Sequence, residues 1–210
     1  MMKALNFVLI SFFLFAGVFA NQTLAQSPFV PIKLSNGISF VLPKNWMVID
    51  TNTRTTLEAS VAARVPIEVD SSLPFAANLY DSNDRVIGIV NLRIYPNMDV
   101  YQNEVIGWNS SMMDEINQVL RNSLSEGVML GGGEVTHWYG TEKARVNQKV
   151  YLLSKYRRRS AINPNSYFRV SLLRLLEGEK SFTLTMSYEE KNEYFLKPII
   201  EYVKDSVKTP

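Results

Sequence analysis

The clearest pattern in the chain is an alternation of apolar and polar residues near its C-terminus. In the stretch SFTLTMSY, residues 181–188, every second side chain is large and apolar or aromatic, namely Phe182, Leu184, Met186 and Tyr188. A period of two predicts a β-strand with one buried face and one polar face. Another strand opens at Phe168, and we expect the intervening EGEK, residues 177–180, to form the turn between the two strands.

Apolar repeats with a longer period predict helices. Over residues 100–125 the apolar side chains recur at spacings of three and four, which favours an amphipathic helix. Gly107 and the polar run after it weaken the middle, so a helix broken there is the alternative. Residues 189–207 predict a closing helix, kinked at Pro198 or beginning just before it. The stripe that we expect this helix to bury is Phe195, Ile199, Tyr202, Val203 and Val207.

Turn residues divide the remainder into short elements. Asn36 and Gly37 predict a tight hairpin, because such a turn requires positive φ angles. Residues 53–65 have a helical spacing, residues 81–84 (DSND) predict the turn of a second hairpin, and residues 149–159 predict a further strand. The predicted order is hairpin, helix, hairpin, long helix, three or four antiparallel strands and helix. Helices placed between antiparallel hairpins indicate an α+β fold.

The first 25 residues have the three parts of a secretory signal peptide. Lys3 gives a positive start, residues 7–20 are an apolar run, and small residues stand at Ala20 and Ala25, after either of which we expect cleavage. A retained membrane anchor is the alternative, but a span takes about 20 apolar residues, and Asn6 interrupts this stretch. We therefore expect an exported chain, soluble after cleavage, whose residues 26–210 form a single domain.

The composition limits which cellular compartment and which classes of partner are to be expected. The chain has no cysteine, which excludes disulfides, thiolate metal sites and a lipid-modified cysteine. A domain of this size can bury enough apolar surface without disulfides, so the bacterial periplasm, or secretion from a bacterium, fits best. A formal net charge of +2 argues against a protein that coats nucleic acid, and no nucleic-acid partner is expected.

The search for catalytic chemistry yields mostly exclusions. His137 is the single histidine, no serine stands in a Gly-x-Ser-x-Gly elbow, and Glu134 follows the three glycines at residues 131–133 where a phosphate-binding loop needs lysine. We therefore predict no catalytic residue, no cofactor and no metal site, and expect a protein that is not an enzyme.

A basic stretch at residues 151–161 (YLLSKYRRRSA) is the one candidate binding surface. If residues 149–159 form a strand, odd-numbered residues share one face, and we expect the even-numbered face to be the buried one. The exposed face would then gather cations that continue to the next strand. Such a surface attracts an acidic envelope protein or an anionic membrane surface, or else only keeps the sheet face solvated. The candidate partner-binding residues are Tyr151, Lys155, Arg157, Arg159 and Arg169.

Two stretches carry a resemblance to a known family. NGISFVLPKNWMV (residues 36–48) and the long C-terminal run YFRVSLLRLLEGEKSFTLTMSYEEKNEYFLKPIIEYVKDSV (residues 167–207) resemble the PsbP-like (Mog/PsbP) superfamily over roughly residues 36–207. The resemblance implies an antiparallel sheet of about six or seven strands flanked by helices, in members that mostly act as binding or assembly factors. The leader is of bacterial type rather than a plastid transit peptide, so the photosynthetic partner does not carry over, and no functional residue transfers.

Two functions therefore stand as hypotheses. The first is an exported, non-enzymatic binding or assembly factor of the bacterial cell envelope that acts through protein–protein contacts. The second is a periplasmic carrier of a small apolar ligand or lipid, or an unrecognised hydrolase. Its pocket would lie between sheet and helix, lined by Trp108, Met112, Met113 and Phe168. The sequence names neither partner nor ligand, nor the oligomeric state.

Overall fold

The computed structural model describes residues 27–62 and 71–210. The predicted signal peptide therefore lies outside the described residues. The strands are β1 (Phe29–Lys33), β2 (Ser39–Pro43), β3 (Met47–Val48), β4 (Ser72–Tyr80), β5 (Val86–Val100), β6 (Glu134–Val146), β7 (Lys149–Arg159) and β8 (Tyr167–Glu189). The helices are α1 (Thr51–Ala62), α2 (Gln102–Gly107), α3 (Ser110–Leu130) and α4 (Glu193–Asp205), with a short 3-10 helix at Glu190–Asn192.

In the described part of the chain, strands β3 to β8 form one antiparallel sheet in the order β3-β4-β5-β8-β7-β6, in which β8 supplies two antiparallel arms and so makes seven strands in all, and β1 pairs with β2 in a separate hairpin. Gly37 has a φ of 84° in the turn of that hairpin, as the Asn-Gly pair predicts. The turn at residues 81–84 is also confirmed, because the Asp81 carboxylate accepts hydrogen bonds from the backbone N–H groups of Asn83 and Arg85. The predicted α+β class is therefore confirmed, with helices flanking an antiparallel sheet.

Strand β8 contains the turn predicted at EGEK. Its backbone is extended on both sides of that segment, but the chain reverses there, because Arg174 Nε donates to Thr183 Oγ1 at 3.3 Å and Ser166 Oγ donates to the Glu189 carboxylate. In a strand that continued in one direction, the two ends of β8 would be about 75 Å apart. The first arm pairs with β7, and the second arm, from Gly178 onward, pairs with β5. Gly178 has a φ of 63° in the turn, a conformation that glycine adopts without steric cost.

The sheet is covered on both faces. Helix α4, the β1–β2 hairpin and the last residues of the chain close the larger core, which contains Phe40, Val90, Leu184 and Met186. Helices α2 and α3 pack on the opposite face, against residues of β7 and β8 such as Leu152 and Val170. Burial on both faces explains why β7 and the first arm of β8 carry consecutive apolar residues rather than a simple alternation.

The segment at residues 100–125 is two helices rather than one. Helix α2 ends at Gly107, and α3 begins after Asn109, whose side chain accepts a hydrogen bond from the Met112 backbone N–H at 3.0 Å. An asparagine cap satisfies an N–H group that the first turn of a helix leaves unpaired. The predicted alternative of a break near Gly107 is therefore confirmed. Among residues 27–62 and 71–210, no helix has the length and apolar character needed to cross a bilayer.

Helix α4 is rotated relative to the prediction. It runs through Pro198 from a start at Glu193, and it buries Leu196, Ile200 and Val203 against the sheet. Val203 and Val207 are buried as expected, but Phe195 and Tyr202 are exposed. The reason is that residues 196, 200, 203 and 207 also follow the helical spacing of three and four. The helix therefore has two adjacent apolar stripes, and periodicity alone does not say which one faces the core.

Candidate functional site

Strand β7 was predicted to expose its odd-numbered face, and the structure corrects this for Tyr151. Tyr151 is 3% exposed and lies in the larger core beside Val207. The Asn147 side-chain amide donates to the Val207 carbonyl, which holds the end of the chain over this part of the sheet. Tyr151 and Leu153 are therefore covered, and beyond them the odd-numbered face of β7 is accessible again from Lys155 onward.

Two of the predicted cations are matched by carboxylates on the edge strand β6. The Lys155 ammonium lies 2.8 Å from Glu142, and the Arg159 guanidinium lies 2.6 Å from Glu134. Exposed pairs of this kind contribute little to stability, about 1 kcal/mol at most. Their effect here is on the charge of the surface, because each pair is neutral overall.

Arg157 and Arg169 form the centre of the site. They stand directly opposite each other on β7 and β8, a position at which two like charges repel. The Glu190 carboxylate joins them: Arg157 Nε donates to Oε2 at 2.8 Å, and Arg169 Nη2 lies 2.7 Å from Oε1. Glu190 lies there because β8 doubles back on itself, so that its last residue, Glu189, lies beside Ser166 at its beginning, and Glu190 follows directly. We call Arg157 and Arg169 the arginine pair.

Two tyrosine rings flank the arginine pair. The Arg157 guanidinium lies 3.8 Å from the centre of the Tyr167 ring, and that of Arg169 lies 4.8 Å from the centre of the Tyr139 ring. Such cation–π contacts hold a guanidinium in place while leaving N–H groups at its edge available. His137 packs against Tyr139 with ring centres 4.4 Å apart. Arg169 Nε is buried and makes no hydrogen bond within the described part of the chain.

Helix α4 presents a second surface beside the arginine pair. Its outward side exposes Tyr194 by 85%, Phe195 by 70% and Tyr202 by 53%. Tyr194 and Phe195 meet edge to face at 5.1 Å, and Tyr202 packs against Phe29 of β1 at 4.6 Å. We call these four residues the aromatic ridge. The sequence analysis missed it, although the signal was present: α4 carries more apolar residues than one helix face can bury.

Tyr188 lies between the two surfaces. Burial raises its pKa from 10.0 to about 12, and the negative charge of Glu193 adds to this effect, while Arg169 acts against it. Burial also raises the pKa values of Tyr151 and Tyr156.

The raised pKa of Tyr188 predicts a loss of stability at alkaline pH. The folded protein holds this proton more tightly than the unfolded chain, so the contribution is fully present below about pH 10 and is lost as the pH rises through about 12. Replacing Tyr188 by Phe should flatten the fall in the free energy of unfolding over that interval. Urea unfolding at several pH values measures this free energy. The flattening should be partial, because the buried Tyr151 and Tyr156 remain and also cause a loss of stability at alkaline pH. An unchanged pH dependence would contradict the assignment.

The four residues that were expected to line a ligand pocket are not all brought together in the structure. Trp108 and Met113 pack against Val105, Phe168 belongs to a different cluster under α3, and Met112 is exposed. A cleft of about 850 Å³ lies elsewhere in the described structure, with Ile94, Pro96 and Phe182 as apolar lining and with Glu179 and Lys180 as charged lining. Within residues 27–62 and 71–210, no three His, Asp or Glu side chains are grouped to hold a metal.

Comparison with solved structures identifies the fold. The solution structure of cyanobacterial PsbP (CyanoP) from Synechocystis superposes with a TM-score of 0.53, and the match covers 92% of this chain and 99% of that one. The protein has a PsbP-like fold. The sequences are 13% identical, so the likeness concerns the fold alone. The resemblance stated from the two sequence stretches is therefore confirmed at the level of the fold.

More distant similarities accompany this one. LpqN, described as involved in cell envelope biogenesis of Mycobacterium tuberculosis, gives a TM-score of 0.44 at 10% identity and covers 87% of this chain and 91% of its own. The Ran-binding protein Mog1p of Saccharomyces cerevisiae gives 0.43 at 13% identity, with 86% and 95% covered. Neither a family model nor a curated protein matches the sequence.

Proposed function

We propose that the protein is an exported, non-enzymatic binding or assembly factor of the bacterial cell envelope that acts through protein–protein contacts. The observation that carries the proposal is the aromatic ridge. Tyr194, Phe195 and Tyr202 are large side chains that the fold leaves exposed, although α4 already buries Leu196, Ile200 and Val203. The fold does not need the ridge for its own core.

The composition of the ridge fits a protein partner. Aromatic residues are enriched at the centres of protein interfaces, where they contribute large contact areas and few rotatable bonds, and they account for many of the residues that dominate binding energy. The charges of α4 largely cancel, since Lys197 pairs with Glu193 and Lys204 pairs with Glu201. Attraction to the ridge is therefore mainly apolar. Export is supported by the leader pattern in residues 1–25.

The first test locates the contact. A photo-crosslinking amino acid at position 195 or at position 202 should capture the same discrete partner in intact cells. Met129 is an equally exposed apolar residue on α3, which packs on the opposite sheet face, and it is the matched control. Crosslinks at position 129 to the same partner would show that the ridge is not the contact.

The second test measures affinity with the purified partner. Replacing Tyr194, Phe195 and Tyr202 together by Ser should weaken binding at least about a hundredfold, because each central aromatic side chain contributes about 2 kcal/mol or more. The matched variant, Met129 and Ile162 to Ser, should change it less than about twofold. Equal affinities would overturn the proposal. A small molecule found with the purified protein by native mass spectrometry, with no ridge-dependent partner, would favour the carrier hypothesis and the cleft instead.

A further inference from the structure

We infer that the arginine pair binds a carboxylate of an acidic segment in the partner protein. The inference rests on the proposed function, because the same partner would contact the aromatic ridge. The two surfaces adjoin: Glu190, which the arginine pair holds, lies one helical turn before Tyr194 in the chain. A partner seated on the ridge therefore reaches Arg157 and Arg169 with side chains from the same surface.

The arginine pair has more donors than Glu190 can use. A guanidinium carries several N–H donors in a planar fork, and Glu190 receives one contact from each of the two arginines. The contacts of the described residues leave both Nη atoms of Arg157 and Nη1 of Arg169 without an acceptor, while the unpaired Nε of Arg169 is buried. Both side chains are partly exposed, and the tyrosine rings hold them by their faces. A second carboxylate would be held as the Glu190 carboxylate is, by contacts with both guanidinium groups at once.

The local charge also favours an acidic group. Two cations face one carboxylate at this point, whereas the neighbouring pairs Lys155 with Glu142 and Arg159 with Glu134 are neutral. The excess positive charge is thus confined to the arginine pair. Binding to an anionic membrane gains about 1 kcal/mol for each basic residue near the surface and needs a cluster of them. A single excess charge between two tyrosines fits an acidic side chain of a protein better than a lipid surface.

The test uses a short acetylated polyglutamate peptide as the probe, with affinity measured by fluorescence anisotropy at low and at physiological salt. Changing Arg157 and Arg169 together to Gln should weaken binding at least about tenfold, and binding to the parent protein should fall as salt rises. The matched control changes Arg121 on α3 and Arg145 on β6 to Gln, and it should alter the affinity less than about twofold. Thermal unfolding by circular dichroism checks that each variant is folded.

A variant with the opposite expected sign separates recognition from a structural role. Glu190→Gln removes the carboxylate that competes for the arginine pair, so it should strengthen peptide binding several-fold. If Glu190 only supports the fold, the same change would weaken binding, and that result overturns the inference. So does unchanged binding in the double arginine variant, or a preference for inorganic phosphate or phosphatidylglycerol vesicles over the peptide. Failure of the ridge variants in the partner assay would overturn the proposed function and would not alter the peptide measurement.

Discussion

Replacing Leu184 by Asp is expected to destabilise the protein by about 4 kcal/mol or more. Leu184 is 2% exposed, stands opposite Leu92 of β5 and lies in the larger core under α4. The change removes buried apolar contacts and places a carboxylate without a partner in an apolar environment, which is among the costliest effects of a single substitution. Urea unfolding followed by circular dichroism measures the free energy of unfolding.

The neighbouring residue provides the control for this prediction. Thr185 points to the other face of β8, is only half-buried, and stands opposite the polar Asn91. Replacing Thr185 by Asp should cost about 1 kcal/mol or less, because the carboxylate remains near water. Similar losses for the two variants would show that the two faces of β8 are wrongly assigned.

The second large effect concerns the orientation of α4. Replacing Ile200 by Asp is expected to cost about 4 kcal/mol or more, because Ile200 is 2% exposed and packs into the larger core. The same substitution at Phe195 should cost about 1 kcal/mol or less, since that side chain is on the outward stripe and a negative charge near a helix N-terminus is favourable. Thermal and urea unfolding of the two variants compare them directly.

These two substitutions show which of the two apolar stripes of α4 faces the sheet. If Phe195 and Tyr202 faced the sheet, as periodicity alone first suggested, Phe195→Asp would be the damaging change and Ile200→Asp the mild one. The measurement also bears on the aromatic ridge. A mild effect of Phe195→Asp on stability means that a loss of partner binding in ridge variants reports contact with the partner rather than unfolding.

Local sequence patterns predicted the structure correctly where it depends on residues that are close together in the chain. The alternation at residues 181–188 correctly predicted which side chains are buried together, because Phe182, Leu184, Met186 and Tyr188 all lie in the larger core. The Asn-Gly turn follows from the φ angles that glycine tolerates, and the break near Gly107 follows from weak helix propensity followed by an asparagine cap. The antiparallel α+β class follows from the order of these elements.

The arginine site was predicted only in part. The sequence placed Arg157, Arg169, Lys155 and Arg159 on one face, and the register of β7 and β8 sets Arg157 directly opposite Arg169. It gave no indication that Glu190 would join them, because that contact depends on how the chain turns after β8. Tyr151 was misassigned for a similar reason, since the residues that cover it come from the end of the chain. Whether these arginines bind a partner is a prediction for the experiments above.

The sequence by itself determined which segments are helical or extended, where several turns lie, and which side chains alternate along a strand, because these depend on backbone preferences and on spacing between near neighbours. The tertiary structure decided the rest. It placed the two arms of β8 in the sheet, each with its own further partner strand, and it chose the inward stripe of α4. It also matched the basic strand with distant carboxylates. Those outcomes depend on residues that are far apart in the chain and meet only when the sheet and its covering helices have packed together.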